Sequence, residues 1–144
     1  MKKLILSFLI AAIALSGFGC VTNSDGSKQI NSKVVLVAEL AAYDGTFLYL
    51  AQNPASRPKF EKAVENLDIL IENGVTVDAF ILIIKSLPIK ELQSTQGKLI
   101  VDNAIIIFGQ FRDDIIKLDT LEQAKLLLPV VTAVRDGLVK GLNQ

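Results

Sequence analysis

The chain has 144 residues, enough for one domain and a targeting segment but not for a second core. Its 15 basic and 15 acidic residues cancel, so no basic footprint marks a nucleic-acid surface. It has no His and one Cys, which removes imidazole chemistry and any intrachain disulfide.

Residues 1–19 form three zones: a basic tip (Lys2, Lys3), an apolar run from Leu4 to Leu15 broken only by Ser7, and the small-residue patch "SGFG" ahead of Cys20. That order predicts a secretory signal peptide. A bilayer-spanning helix needs roughly 20 apolar residues, and this run is shorter and ends in Gly17 and Gly19. Removing it leaves 13 basic against 15 acidic residues, a slightly acidic mature chain.

The patch with Cys20 resembles the lipobox of bacterial lipoprotein precursors, in which a small residue precedes a cysteine that is acylated before cleavage. Gly19 matches the position before the cysteine, whereas Gly17 stands where an aliphatic residue is usual and Phe18 is bulky. The resemblance implies lipid attachment at Cys20 and, in a Gram-negative cell, outer-membrane sorting, because Val21 rather than Asp follows the cysteine. A general signal peptidase site with the same cut is the competing reading. Both export the chain. Residues 20–32 then read as a polar tether, and about 12 residues reach at most roughly 40 Å.

The first mature segment, "SKVVLVAELAAYDGTFLYLAQNP", carries two signals. "DG" between apolar runs favours a hairpin, while "AELAA" favours a helix ending near Gln52 and Asn53. The helix is the preferred reading and the hairpin its rival, since an isolated hairpin is marginal.

From Ser56 the pattern is clearer. Phe60, Ala63, Val64, Leu67, Leu70 and Ile71 recur at helical spacing, Glu61, Lys62, Glu65, Asn66 and Asp68 take the other face, Ser56 is the expected cap and Gly74 the stop. Thr76 caps a short apolar helix, "VDAFILIIKSL", that Pro88 ends. A longer helix is expected from Gln96 to Lys117, apolar nearly all round in its middle. The last begins at "DTLEQ", with Asp119 or Thr120 as cap and Glu122 or Gln123 closing a capping box, and runs to Leu142 with a kink at Pro129. These segments predict an all-α protein: a signal peptide over 1–19, a tether over 20–32, and a compact bundle of about five helices over 33–144.

Few residues suggest chemistry. Asp102 and Asn103 interrupt the most apolar helix, but Lys98 one turn away makes an ordinary ion pair the simpler reading. Lys85 within "ILIIKSL" reads as a snorkelling side chain. Arg112, Asp113 and Asp114 form a polar cluster with Arg135 and Asp136 if the last two helices pack antiparallel, and otherwise a solvated face. Tyr43, Phe47 and Tyr49 read as core in preference to a binding platform. Gly137 and Gly141 make a G-x-x-x-G, which carries weight only inside a long apolar span. No catalytic, cofactor or metal motif is present.

The pattern "LPIKEL" followed by an Ile-rich helix also resembles small helical lipoproteins, some of them phage-encoded, a likeness that implies location and no reaction. The expected function is protein interaction at the cell envelope, with the membrane held through Cys20 and an envelope protein as partner. The alternative is a small-molecule or lipid carrier with a cavity lined by Ile83, Ile106 and Phe108.

Overall fold

The computed structural model describes residues 20–22, 24–88, 115 and 117–144. Over these the chain is mostly helical. A short antiparallel pair, β1 (Cys20–Thr22) and β2 (Lys28–Ile30), is followed by α1 (Ser32–Gln52), α2 (Arg57–Asn73), α3 (Val77–Ser86) and α4 (Thr120–Leu142), with a single 3₁₀ turn at Pro54–Ser56. The helix expected over 96–117 lies outside the described residues except for Ile115, which is buried in the core, and Lys117.

The strand pair occupies part of the segment expected to be a polar tether. Cys20 lies opposite Ile30, Val21 opposite Gln29 and Thr22 opposite Lys28. Asp25 tightens the turn by accepting hydrogen bonds from the Ser27 amide (2.9 Å) and hydroxyl (2.6 Å), which also holds the Asp25 carboxyl below its usual range. Two strands alone are marginal. Here Ile30 packs against the core and β2 rests on α4, so the pair has a surface to lean on.

α1 is a helix straight through the Asp44–Gly45 pair that raised the hairpin alternative. The Asn31 side chain accepts from the Lys33 amide at 2.9 Å and opens it; the Asn53 amide donates to the Tyr49 carbonyl at 2.8 Å and closes it. Glycine inside a helix costs about 1 kcal/mol relative to alanine. Gly45 is nevertheless buried, and the neighbouring Thr46, also buried, satisfies its hydroxyl by donating to the Ala42 carbonyl at 2.7 Å. Tertiary contact outweighs the local turn preference.

α2 has the predicted face: Phe60, Ala63 and Leu67 are buried while Glu61, Lys62 and Glu65 are exposed. Its start differs from expectation. Ser56 occupies the cap position but makes no side-chain capping bond; the 3₁₀ turn and Pro58 in the first turn set the entry instead. Gly74 ends the helix with φ of 105°, a conformation that L side chains rarely adopt. Thr76 then caps α3 as expected, accepting from the Ala79 amide at 3.4 Å, and Leu87 is extended ahead of Pro88.

α4 is the centre of the fold, packing on α1, α2, α3 and β2. Asp119 caps it, accepting from the Glu122 amide at 2.9 Å. Gln123, a candidate to close a capping box, instead donates to the Leu118 carbonyl at 3.0 Å. Pro129 sits inside a continuous helix; it and Lys125 are both exposed, so the carbonyl that Pro129 cannot bond is on the wet side. At the far end Arg57 of α2 donates from Nη2 to the Leu142 carbonyl at 2.6 Å, placing a cation on the carbonyl end of α4. Leu127, Val130, Val131 and Leu138 of α4 meet Phe60, Leu67, Val75, Val77 and Phe80 in one core, where Tyr49 tilts against Phe60 with ring centres 5.6 Å apart.

The α1–α4 contact depends on Gly137 and Gly141. A Cβ on Gly137 would overlap the Glu39 carbonyl and come within 2.8 Å of the Ala42 Cβ; one on Gly141 would lie 2.7 Å from the Thr46 Cβ and 2.9 Å from the Tyr43 carbonyl. The G-x-x-x-G motif therefore works here as a close helix seam, although α4 also carries Arg135, Asp136 and Lys140. An apolar span is not required, because what the seam needs is backbone approach, and small residues on the facing helix permit it.

Candidate functional site

The features of interest gather along α1 and at its start. Successive helix positions turn by 100°, so Leu36, Leu40, Tyr43 and Phe47 fall on one stripe. That stripe lies opposite the face formed by Ala38, Ala42, Gly45 and Tyr49, which turns inward. Leu36 is 56% exposed, Leu40 40%, Phe47 42% and the flanking Leu48 47%. Tyr43 and Phe47 stack nearly parallel, ring centres 6.2 Å apart and planes inclined by 9°. Of the three aromatics read as core, then, Tyr49 is buried, Tyr43 is half-buried and Phe47 lies on the outer surface.

Charges border the stripe. Lys140 of α4 is hydrogen-bonded to Glu39, and that contact, followed by the Glu39 charge, raises the affinity of the lysine for its proton. Asp44 is half-buried, and burial pushes its carboxyl above the usual range. Glu39, Leu40, Tyr43, Lys140 and Gln144 line an open groove of about 320 Å³ at the α1–α4 edge. It is a surface feature and does not include Ile83, the described member of the cavity trio; Ile106 and Phe108 lie outside the described residues.

Arg135 is the other organised polar group. It donates from Nε to Asp68 of α2 at 2.8 Å and from Nη1 to Asp136 at 3.0 Å, and those two carboxylates, Asp136 first, raise its pKa further. Asp68, expected on the polar face of α2, sits at the edge of that face that meets α4. The proposed association with Arg112, Asp113 and Asp114 lies outside the described residues, as do Asp102 and Asn103. Lys85 is exposed, in keeping with a snorkelling side chain. Among the described residues no three His, Cys, Asp or Glu side chains gather as a metal site.

The outward stripe of α1 was missed from sequence. The i, i+4, i+7, i+11 spacing of Leu36, Leu40, Tyr43 and Phe47 was visible, but the helix is apolar on every side and spacing alone did not say which side faces in. At the start of α1 the backbone of Cys20 is paired to Ile30, so the residue that resembles a lipobox cysteine lies one strand spacing from the body.

Comparison with known proteins adds no family to these observations: no family model matches the chain, and neither a curated protein nor a solved structure matches it.

Proposed function

We propose that this chain is an exported lipoprotein, attached to the cell envelope through acyl chains on Cys20, that acts by binding another envelope protein and not by catalysis. The observation that carries the reading is the coincidence at Cys20 of a basic-apolar-small leader, a preceding Gly19 and the sole thiol of the chain. Residues 1–19 are then the cleaved signal peptide, and the mature domain is a bundle in which the apolar pattern over 96–117 supplies the fifth helix. Two or three acyl chains give stable attachment where one does not, since each buried methylene contributes about 0.8 kcal/mol. Anchoring confines the domain to a thin layer, so a weak surface contact with a neighbour suffices. With no His in the chain, the side chains available for proton transfer are carboxylates, lysines and tyrosines, and no motif arranges them for that task.

Mass spectrometry of the membrane fraction tests this. The expected result is an N-terminal Cys20 peptide carrying acyl mass, and a Cys20→Ser form that leaves the membrane, keeps its fold and loses its envelope partner in pull-down. An unacylated Cys20 peptide, or an unchanged membrane fraction after Cys20→Ser, overturns it.

A further inference from the structure

The strand pairing has a consequence for how an anchored molecule would sit. Paired residues on antiparallel strands lie about 4.5 to 5.5 Å apart. Cys20 is paired with Ile30, and Ile30 is packed on the core two residues before α1 begins. Acyl chains on Cys20 would therefore hold the body against the bilayer at the N-terminal end of α1, with none of the reach an extended tether would give.

The surface that begins at that end is the stripe of Leu36, Leu40, Tyr43 and Phe47, and it extends over about 16 Å at 1.5 Å per residue. Its arrangement is that of helices bathed in lipid, with small residues turned to the neighbouring helix and large apolar ones turned outward. By length and composition α1 could even cross a bilayer. Its seam with α4 excludes that orientation, because α4 would enter with it and carries Glu122, Lys125, Arg135, Asp136 and Lys140.

We infer that the outward face of α1 lies on the lipid surface beside the anchor, seated at the boundary between headgroups and acyl chains, so that the opposite side of the domain is presented to the protein partner. This rests on the lipid attachment proposed for Cys20. Glu39 and Lys140 at the border neutralise one another and the mature chain is slightly acidic, so the contact is apolar and needs no anionic lipid.

The chain contains no Trp, so one introduced Trp reports alone. Phe47→Trp and, separately, Leu40→Trp are placed on the stripe, and Leu82→Trp, at a position 68% exposed on α3, serves as the reference. Each acylated full-length product is reconstituted in phosphatidylcholine vesicles with and without brominated acyl chains, and circular dichroism checks the fold. The expected result is blue-shifted emission and loss of most of the intensity to bromine for the two stripe positions, with the α3 reference unchanged. Acylated protein that floats with the vesicles while both stripe positions resist quenching overturns the inference and leaves the anchor standing. If such unquenched emission is blue-shifted and depends on protein concentration, the face is covered by a second copy, which also overturns it. Absence of acyl mass on Cys20 overturns the anchor, and this orientation with it.

Discussion

α1 and α2 are neighbours in sequence that choose their buried faces by different means. α2 is amphipathic, and water decides: Phe60, Ala63 and Leu67 turn in because Glu61, Lys62 and Glu65 cannot. α1 has no polar side to set its orientation. Its inward face is chosen by shape, since Ala42 and Thr46, with the backbone of Glu39 and Tyr43, let α4 approach until Gly137 and Gly141 have no room for a Cβ. The larger Leu36, Leu40, Phe47 and Leu48 are left outside. Hydrophobicity thus predicts burial for one helix and close to nothing for the other.

The sharpest way to break that contrast is to fill the seam. Replacing both Gly137 and Gly141 with Leu should cost more than about 4 kcal/mol, because overpacking costs about 1 to 3 kcal/mol per site and the obstacles here include the Glu39 and Tyr43 carbonyls, which cannot rotate away. Urea denaturation should show collapse of the cooperative transition. A near-native midpoint would mean that α1 is not held where the structure places it.

Next in size is the water-defined face. Leu67 is fully buried, and Leu67→Ala should cost about 2 to 5 kcal/mol, whereas Glu65→Ala, exposed two residues away, should stay within about 0.5. The partner substitution on α1 is Leu36→Ala. The residue type is the same and the change in side chain identical, yet with Leu36 56% exposed the expected loss in soluble protein is also within about 0.5 kcal/mol. Equal losses at Leu36 and Leu67 would erase the distinction between the helices. Between these extremes lies Arg57→Ala, which removes the donor to the Leu142 carbonyl and should cost about 1 kcal/mol, read as earlier fraying of α4 by hydrogen exchange.

What the sequence made legible follows the same division. The start and stop of α3, the Asp119 cap of α4 and the inward face of α2 all come from local rules, polar caps and 3.6-residue periodicity, and each is found in place. α1 was legible as a helix but not in its orientation, and the value of Gly137 and Gly141 was hidden because a seam is a property of two segments about 95 residues apart. Asp68 was misplaced for the same reason: Arg135, its partner, is distant in sequence, and periodicity alone does not report a helix edge that another helix touches. The Cys20–Ile30 pairing is similar. A polar stretch of chain looks like a tether until Ile30 finds the core.

The smallest effect concerns Asp44, and it probes the border of the outward face. Burial strips water from its carboxylate and raises its pKa above the ordinary carboxylate range. A raised carboxyl binds its proton more tightly in the folded than in the unfolded chain. Between the unfolded pKa and the raised folded one, the folded state therefore holds more protons, and stability falls as pH rises through that window. Above it the ionised group is a constant penalty, and below the unfolded pKa the penalty is gone. Asp44→Asn should thus stabilise soluble protein at neutral pH by a few tenths of a kcal/mol, about 0.5 at most because the group is largely in contact with water. The gain should fade as pH falls through the raised folded pKa and be gone below about 4, where Asp44 is neutral in both states. Denaturation midpoints of the two proteins at pH 7 and pH 3.5 make the measurement. A variant less stable than the parent at pH 7 would show that the Asp44 charge is favourable where it stands, and would place a cation against the very side of α1 that is otherwise apolar.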